Sequence, residues 1–254
     1  MDIHRVAARG YELAGRDYER ARPLYPNDAI ALLVTELGIT GGSTVLELGA
    51  GTGKLTRLLA GTGAKWLALE PVAAMLAQLT AAVPSASAVI GTAEAIPART
   101  AVVNAVVVGT AFHWFRGVQA LGEIARVLQP RGALGLLWNN PDRDTDWVAA
   151  VWEMVDEYRR GVPGNLDLSW QQAFTDTEHF TPLQHRRFSH TQEIDLDALL
   201  DRVSSISFIA SLPPAELATV RGRVHDLATS HLPDAGRGRF PLPYRTDVYW
   251  CRRR

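Results

Sequence analysis

Cysteine is almost missing from this sequence. Cys251 is the single one in 254 residues, which excludes an intramolecular disulfide framework and any multi-cysteine metal site. An excess of charge of one sign is missing too. The formal net charge is −1, so no global field draws the chain to nucleic acid or to an anionic membrane. No apolar run approaches the ~18 residues of a membrane helix, and the charged opening "MDIHRVAARGYELAGRDYER" has no signal-peptide core. The seven histidines are scattered without HExxH-like spacing, so no metal centre is expected. The closing "RRR" at 252–254 reads as a short solvated end. Together these absences predict a metal-free, cytoplasmic protein with neither a nucleic-acid nor a membrane partner.

What is present is an ordinary core-forming composition, 47% hydrophobic and 21% charged. Residues 28–37 read as a helix, with Asn27 or Asp28 as its cap and Gly38 as its stop. From Thr44 onward, strands at 44–48, 65–69, 86–90, 104–109 and 132–138 alternate with helices near 53–60, 72–82 and 117–128. Val118, Leu121, Ile124, Ala125 and Leu128 line one face of the last helix. The runs at 104–109 and 132–138 are continuously apolar, as strands buried on both faces are. The alternation predicts an open, largely parallel α/β sheet. Beyond Trp138 come a helix over 144–160, the loop "RGVPGNLDLSW", a strand near 183–190, helices at 195–204 and 213–229, and a final alternating strand "YRTDVYW". Residues 141–235 thus complete the sheet and add a helical cap.

The stretch "TVLELGAGTGKLTRLLAG" at 44–61 is a strand, a glycine turn and a helix start. A phosphate-cradling GxxxxGK[ST] would need glycine at 48 and a hydroxyl at 55, where Leu48 and Leu55 stand. A dinucleotide GxGxxG would need glycine at 54, which is Lys54. Glu47 precedes the glycines. Beside a pyrophosphate its carboxylate would be repelled by about 4 kcal/mol per charge pair at 4 Å and an effective dielectric of 20, whereas it suits an ammonium or sulfonium. Glu70 ends the next strand, where a carboxylate accepts both ribose hydroxyls. Glycines for close approach, an acid in the loop and an acid for the ribose describe S-adenosylmethionine, and disfavour a nicotinamide-dependent oxidoreductase.

"VLELGAGTGKLT" followed by "LALEP" resembles motifs I and II of the class I S-adenosylmethionine-dependent methyltransferases. "GTAEAIP" at 91–97 resembles their adenine-contacting turn, and "RVLQPRGAL" at 126–134 their passage into the fifth strand. "ARPLYP" at 21–26, "TAFHWF" at 110–115 and "LLWN" at 136–139 are similar to the small-molecule branch that includes trans-aconitate methyltransferase-like proteins. The resemblance implies a Rossmann-like open sheet of about seven strands, mostly parallel with an antiparallel last strand, helices on both faces and a helical cap. It implies one domain over 1–254: lid and first helix at 1–40, cofactor-binding core at 41–140, sheet completion and substrate cap at 141–235, last strand at 236–254.

By that resemblance Glu47, Gly49, Ala50, Gly51 and Gly53 surround the methionine part of the cofactor, and Glu70 with Pro71 the ribose. Thr92, Ala93 and Glu94 lie by the adenine, and the segment from Thr110 walls the sulfonium. Tyr18, Arg22 and Tyr25 fold over as a lid, with Arg22 near the acceptor. Two departures stand out: relatives often carry an acid at the position of Thr92, and an Asp at that of Asn104. Methyl transfer is an in-line displacement at an already activated carbon, so alignment dominates. An ionised carboxylate acceptor needs no base; a hydroxyl would gain from one. His113 in "FHWF" is therefore a positioning residue or a base, Trp114 and Phe115 offer cation–π contact, and Asn139 or Asn140 can face the acceptor. "QHRRF" at 184–188 reads as a solvated strand face. The function implied is methyl transfer to a carboxylate or hydroxyl oxygen of a small molecule. The alternatives are an RNA or protein acceptor, or a non-catalytic cofactor-binding relative.

Overall fold

The computed structural model describes residues 22–175, 177–232, 235 and 238–254; Tyr18 lies outside them. Seven strands form one sheet in the order β3-β2-β1-β4-β5-β7-β6. They are β1 (Thr44–Leu48), β2 (Lys65–Glu70), β3 (Ser87–Ile90), β4 (Val103–Gly109), β5 (Leu128–Pro141), β6 (Gln184–Ile194) and β7 (Phe240–Arg252). β1 runs parallel to β2 and to β4, β3 parallel to β2, and β5 parallel to β4. The last strand reverses. Arg253 bonds to Gly132, Thr246 to Asn139 and Asp142 to Pro243, so numbers rise along β7 as they fall along β5. The helices are α1 (Asn27–Leu37), α2 (Lys54–Leu59), α3 (Ala73–Ala82), α4 (Gly117–Val127), α5 (Asp146–Asp156), α6 (Gln172–Thr175), α7 (Leu196–Ser204), α8 (Ser207–Ala210) and α9 (Pro214–His231).

The chain divides into two compact units. One comprises Tyr25–Asn139, Pro163–Phe188 and Thr246–Arg254. It is cored on both faces of its sheet, because strand side chains alternate. Leu46, Leu48, Val106, Val108, Leu134 and Leu136 pack under α4 on one face; Val45, Ala105, Val107 and Leu137 pack with Leu33 and Leu37 of α1 on the other. The described residues of the second unit fall within 22–24, Asn140–Val162 and Ser189–Arg245. Its core joins Trp147, Val151 and Val155 of α5 to Leu199 and Val203 of α7, Val220 and Val224 of α9, and Leu242 and Tyr244 of β7.

At the start of the strands, Asn104 ties three of them together. Its Oδ1 accepts the Thr44 N–H at 2.8 Å and its Nδ2 donates to Gln129 Oε1 at 2.9 Å. The place that commonly holds a carboxylate is filled by an amide that both accepts and donates.

Several boundaries differ from expectation. β5 starts at Leu128, not 132, so Leu128 belongs to the strand; "QPRG" is a strand irregularity, with Arg131 at φ +63° and a register shift against Val103 and Ala105. Val118 sits in the first turn of α4, at its rim, and is 77% exposed instead of facing the core. Pro26 precedes α1 in place of a polar cap, while Gly38 closes it in the left-handed conformation. The end of "RGVPGNLDLSW" forms a 3₁₀ turn over Ser169–Gln171, and α6 follows it. The terminal arginines are not merely solvated: Arg252 donates to the Glu36 carbonyl at 2.7 Å, and Arg253 to that of Leu128. The "QHRRF" face carries Arg187 bonded to Asp247 at 2.7 Å and Arg186 over the Phe188 ring.

Gly135 is where α1 meets β5: a Cβ there would lie 2.5 Å from Leu33 Cδ1 and 2.9 Å from Leu37 Cδ2. Gly135→Val is expected to destabilise by about 1–3 kcal/mol through overpacking, a loss of several degrees in Tm by scanning calorimetry. An unchanged Tm would show that α1 can shift freely on the sheet.

Candidate active site

β1 ends at Leu48, and the chain turns through Gly49–Gly53 into α2. Gly49, Gly51 and Gly53 all adopt positive φ, at +64°, +56° and +85°, a region other residues rarely occupy. Space is closed as well. A Cβ on Gly49 would stand 2.7 Å from Ala111 Cβ, and one on Gly53 2.9 Å from Leu79 Cγ. The turn is stitched to the end of β2: Ala50 N–H donates to the Leu69 carbonyl at 3.1 Å, and Gly51 N–H to Glu70 Oε2 at 2.9 Å. The other oxygen of Glu70 accepts Val72 N–H at 3.0 Å, so the carboxylate folds over the exposed Pro71. A carboxylate has about four acceptor sites, so two backbone donors leave Glu70 able to accept more.

Glu47 is 2% exposed. Thr56 Oγ1 donates to its Oε2 at 2.5 Å, and Thr56 N–H donates as well. Burial, reinforced by the nearby Glu70, pushes the Glu47 carboxyl up to about 8 despite those bonds. Burial also raises Glu70, against the pull of its two backbone donors. At neutral pH Glu47 therefore holds a proton, which a cationic ligand would expel.

The opposite wall follows β4. Thr110 has φ +54°, a strained value for a threonine. It is tied by its N–H to the Leu137 carbonyl at 2.7 Å and by its hydroxyl to Tyr25 Oη at 2.9 Å. Tyr25 Oη also occupies the space a Cβ on Gly109 would need. The chain then forms a 3₁₀ turn over Phe112–Trp114. Phe115 of this segment, like Ala111, lies close to Gly49, which sets the turn beside the glycine loop. Trp138 Nε1–H donates to His113 Nδ1 at 3.2 Å. An indole can only donate, so Nδ1 is the bare nitrogen and the ring proton sits on Nε2. Trp114, whose ring lies 5.1 Å from that of His113, has a buried Nε1–H with no hydrogen-bond partner.

Other expected site residues stand apart or are already engaged. Thr92 bridges Ala95, and Ala93 is buried with Leu69 and Ile96. Glu94 accepts the backbone N–H of Arg116, just ahead of α4, at 2.9 Å. Asn139 is buried and accepts the Thr246 hydroxyl at 2.7 Å. Arg22 belongs to the second unit, where its guanidinium donates to the Ser205 carbonyl at 3.3 Å. Thr56 and Trp138 are not among the expected site residues, although "GTGKLT" and "LLWN" contain them.

Comparison with known proteins identifies the reaction class. Residues 46–136 match the family model described as a methyltransferase domain. An uncharacterized methyltransferase of Mycobacterium tuberculosis (strain H37Rv) is 38% identical over 90% of this chain and 89% of its own. The chain belongs to the methyltransferase family. A second methyltransferase, from Schizosaccharomyces pombe, is 34% identical over 83% of this chain and 84% of its own. Among solved structures, the YcgJ protein of Bacillus subtilis aligns with a TM-score of 0.60 at 16% identity, over 90% of this chain and 99% of its own. The cyclase SpnF aligns at 0.56 and 14%, over 91% and 84%. These structures share the fold alone, and a cyclase among them shows that the fold does not dictate the reaction.

The methyltransferase depends on S-adenosylmethionine, and its residues fit that cofactor. Gly49 and Gly53 cannot take a side chain without displacing Ala111 or Leu79, burial of the preceding Glu47 favours its neutral form until a cation arrives, and Glu70 retains acceptor capacity. Among the described residues no helix is long and apolar enough to cross a membrane.

A pH effect follows. Because a cation favours ionised Glu47, binding of S-adenosylmethionine should release a proton below about pH 8, with affinity rising up to about tenfold per pH unit and levelling above it. Calorimetry in buffers of different ionisation enthalpy reads this directly, and zero proton release at neutral pH would contradict it. The unliganded protein should behave oppositely. A carboxyl raised on folding contributes stability below its unfolded value of 4.5 and loses it as pH rises through about 8. Glu47→Gln should therefore raise the Tm of the unliganded methyltransferase at alkaline pH while weakening cofactor binding.

Proposed function

We propose that this methyltransferase transfers the methyl group to a carboxylate oxygen of a small cytoplasmic molecule, with His113 as a hydrogen-bond donor that positions the acceptor. Bound S-adenosylmethionine supplies a methyl group already activated by sulfonium. Glu47, Gly49, Ala50, Gly51 and Gly53 would border its methionine part, Glu70 and Pro71 its ribose, and Thr92, Ala93 and Glu94 its adenine. Thr110, held by Tyr25, would wall the sulfonium.

The observation that carries the choice of acceptor is the Trp138–His113 hydrogen bond. With Nδ1 accepting from an indole, the ring carries its proton on Nε2 and has no lone pair there. Such a ring is suited to hold an anion and unsuited to deprotonate a hydroxyl. The unpartnered Nε1–H of Trp114, the next residue in the same turn, is a second candidate donor, and an unmet buried donor costs about 1–3 kcal/mol. A carboxylate is ionised at neutral pH and needs no base, so alignment and exclusion of water suffice. The near-zero net charge favours a small acceptor over RNA.

The test is a labelled-methyl screen of small carboxylic acids against phenols and alcohols. Carboxylic acids are expected to accept label. At saturating cofactor, kcat should stay flat from about pH 6 to about pH 9. Trp138→Phe should lower kcat/KM for the acceptor by about tenfold or more, with affinity for S-adenosylhomocysteine unchanged. Labelling confined to phenols, with an acid limb that disappears in His113→Ala, would replace the positioning role by base catalysis.

A further inference from the structure

Thr56 is fully buried at the third position of α2. Packing alone does not call for a hydroxyl there, and a buried hydroxyl is unfavourable unless bonded. Its side chain could have bonded back to the carbonyl four residues earlier, as Thr35 and Thr80 do in their helices. Instead Oγ1 reaches across to Glu47 Oε2 at 2.5 Å, and the backbone N–H of the same residue also donates to that carboxyl. Two donors from one residue fix both the position and the plane of the Glu47 carboxylate. Both favour its charged form, against burial and against Glu70, the one ionisable group found to act on it among the described residues.

We infer that Thr56 is a positioning residue for cofactor binding: its hydroxyl aims the Glu47 carboxylate and holds it ready to ionise when the cationic cofactor enters. Glu47 would touch the cofactor; Thr56 acts through Glu47. The inference rests on the family's cofactor and is independent of which acceptor is methylated.

The test compares Thr56→Val and Thr56→Ser in the full-length chain, read by calorimetric binding of S-adenosylmethionine and of S-adenosylhomocysteine across pH. Removing the hydroxyl should weaken binding about ten- to a hundredfold near neutral pH, the range for a hydrogen bond to a charged group. It should also move the midpoint of the pH dependence upward, because a donor to the carboxylate is gone. Thr56→Ser should restore both. In a Glu47→Gln background, Thr56→Val should add little further loss, since the two residues act as one unit. The inference is overturned if Thr56→Val, still folded by its melting curve, binds at the parental midpoint and affinity. It is equally overturned if Ser and Val weaken binding alike, or if the losses from Glu47→Gln and Thr56→Val simply add. Should Thr56→Val fail to fold, Thr56→Ala decides: an upward-shifted midpoint supports the inference and a parental one refutes it. A failed Glu47 reading would show as parental proton release in Glu47→Gln itself, which separates it from failure of the Thr56 role.

Discussion

A carboxyl group shut away from water, with a threonine donating to it twice and a second acid close by, is the constraint around which the cofactor loop is organised. Such a group is uncomfortable in the unliganded protein, and burial keeps it protonated at neutral pH. Its surroundings nonetheless suit the ionised form once a positive charge arrives, because both Thr56 donors would then face an anion. The glycines answer the same constraint from the other side. At Gly49 and Gly53 the backbone turns through positive φ hard against Ala111 and Leu79, with no room for a Cβ. Recognition and instability are thus two aspects of one arrangement, as in many functional sites.

The wall after β4 is built on the same economy of donors. Tyr25 holds Thr110 in a conformation that threonine avoids, and Trp138 dictates which nitrogen of His113 carries the proton. Neither residue is near its partner in sequence. Each effect depends on α1 and β5 being set against β4, where the glycine at 135 lets helix and sheet approach. The long-range packing of the first unit therefore reaches into the chemistry of the turn.

This division explains what the sequence could reveal. β4 and the body of β5 are legible because buried parallel strands are continuous apolar runs, β1 and β2 because they alternate with helix and turn signals, and the loop between β1 and α2 because its acid and glycines lie close together in sequence. β5 was misjudged at its start, since Pro130, Arg131 and Gly132 read as a turn. They are a strand irregularity tolerated because Arg131 adopts φ +63° and the register slips against β4. Val118 departs from its expected place in the core because helical spacing alone does not say where a neighbouring element stops covering a face. Thr56 and Trp138 differ again: both lie inside legible stretches, "GTGKLT" and "LLWN", yet a threonine in a helix and a tryptophan in a strand do not say which carboxyl or imidazole they meet.

The clamp at Asn104 has a consequence for how this protein responds to acid and alkali. An amide neither gains nor loses a proton in the physiological range, so the junction of β1, β4 and β5 keeps its bonds at any such pH. At the opposite rim sit Glu47 at the end of β1 and Glu70 at the end of the neighbouring β2, both raised from the ordinary carboxyl value. One margin of β1 is held by a group that no proton touches, and the other ends in a carboxyl that answers to pH, so at this strand the proton is felt where the ligand is received and not at the clamp beneath it.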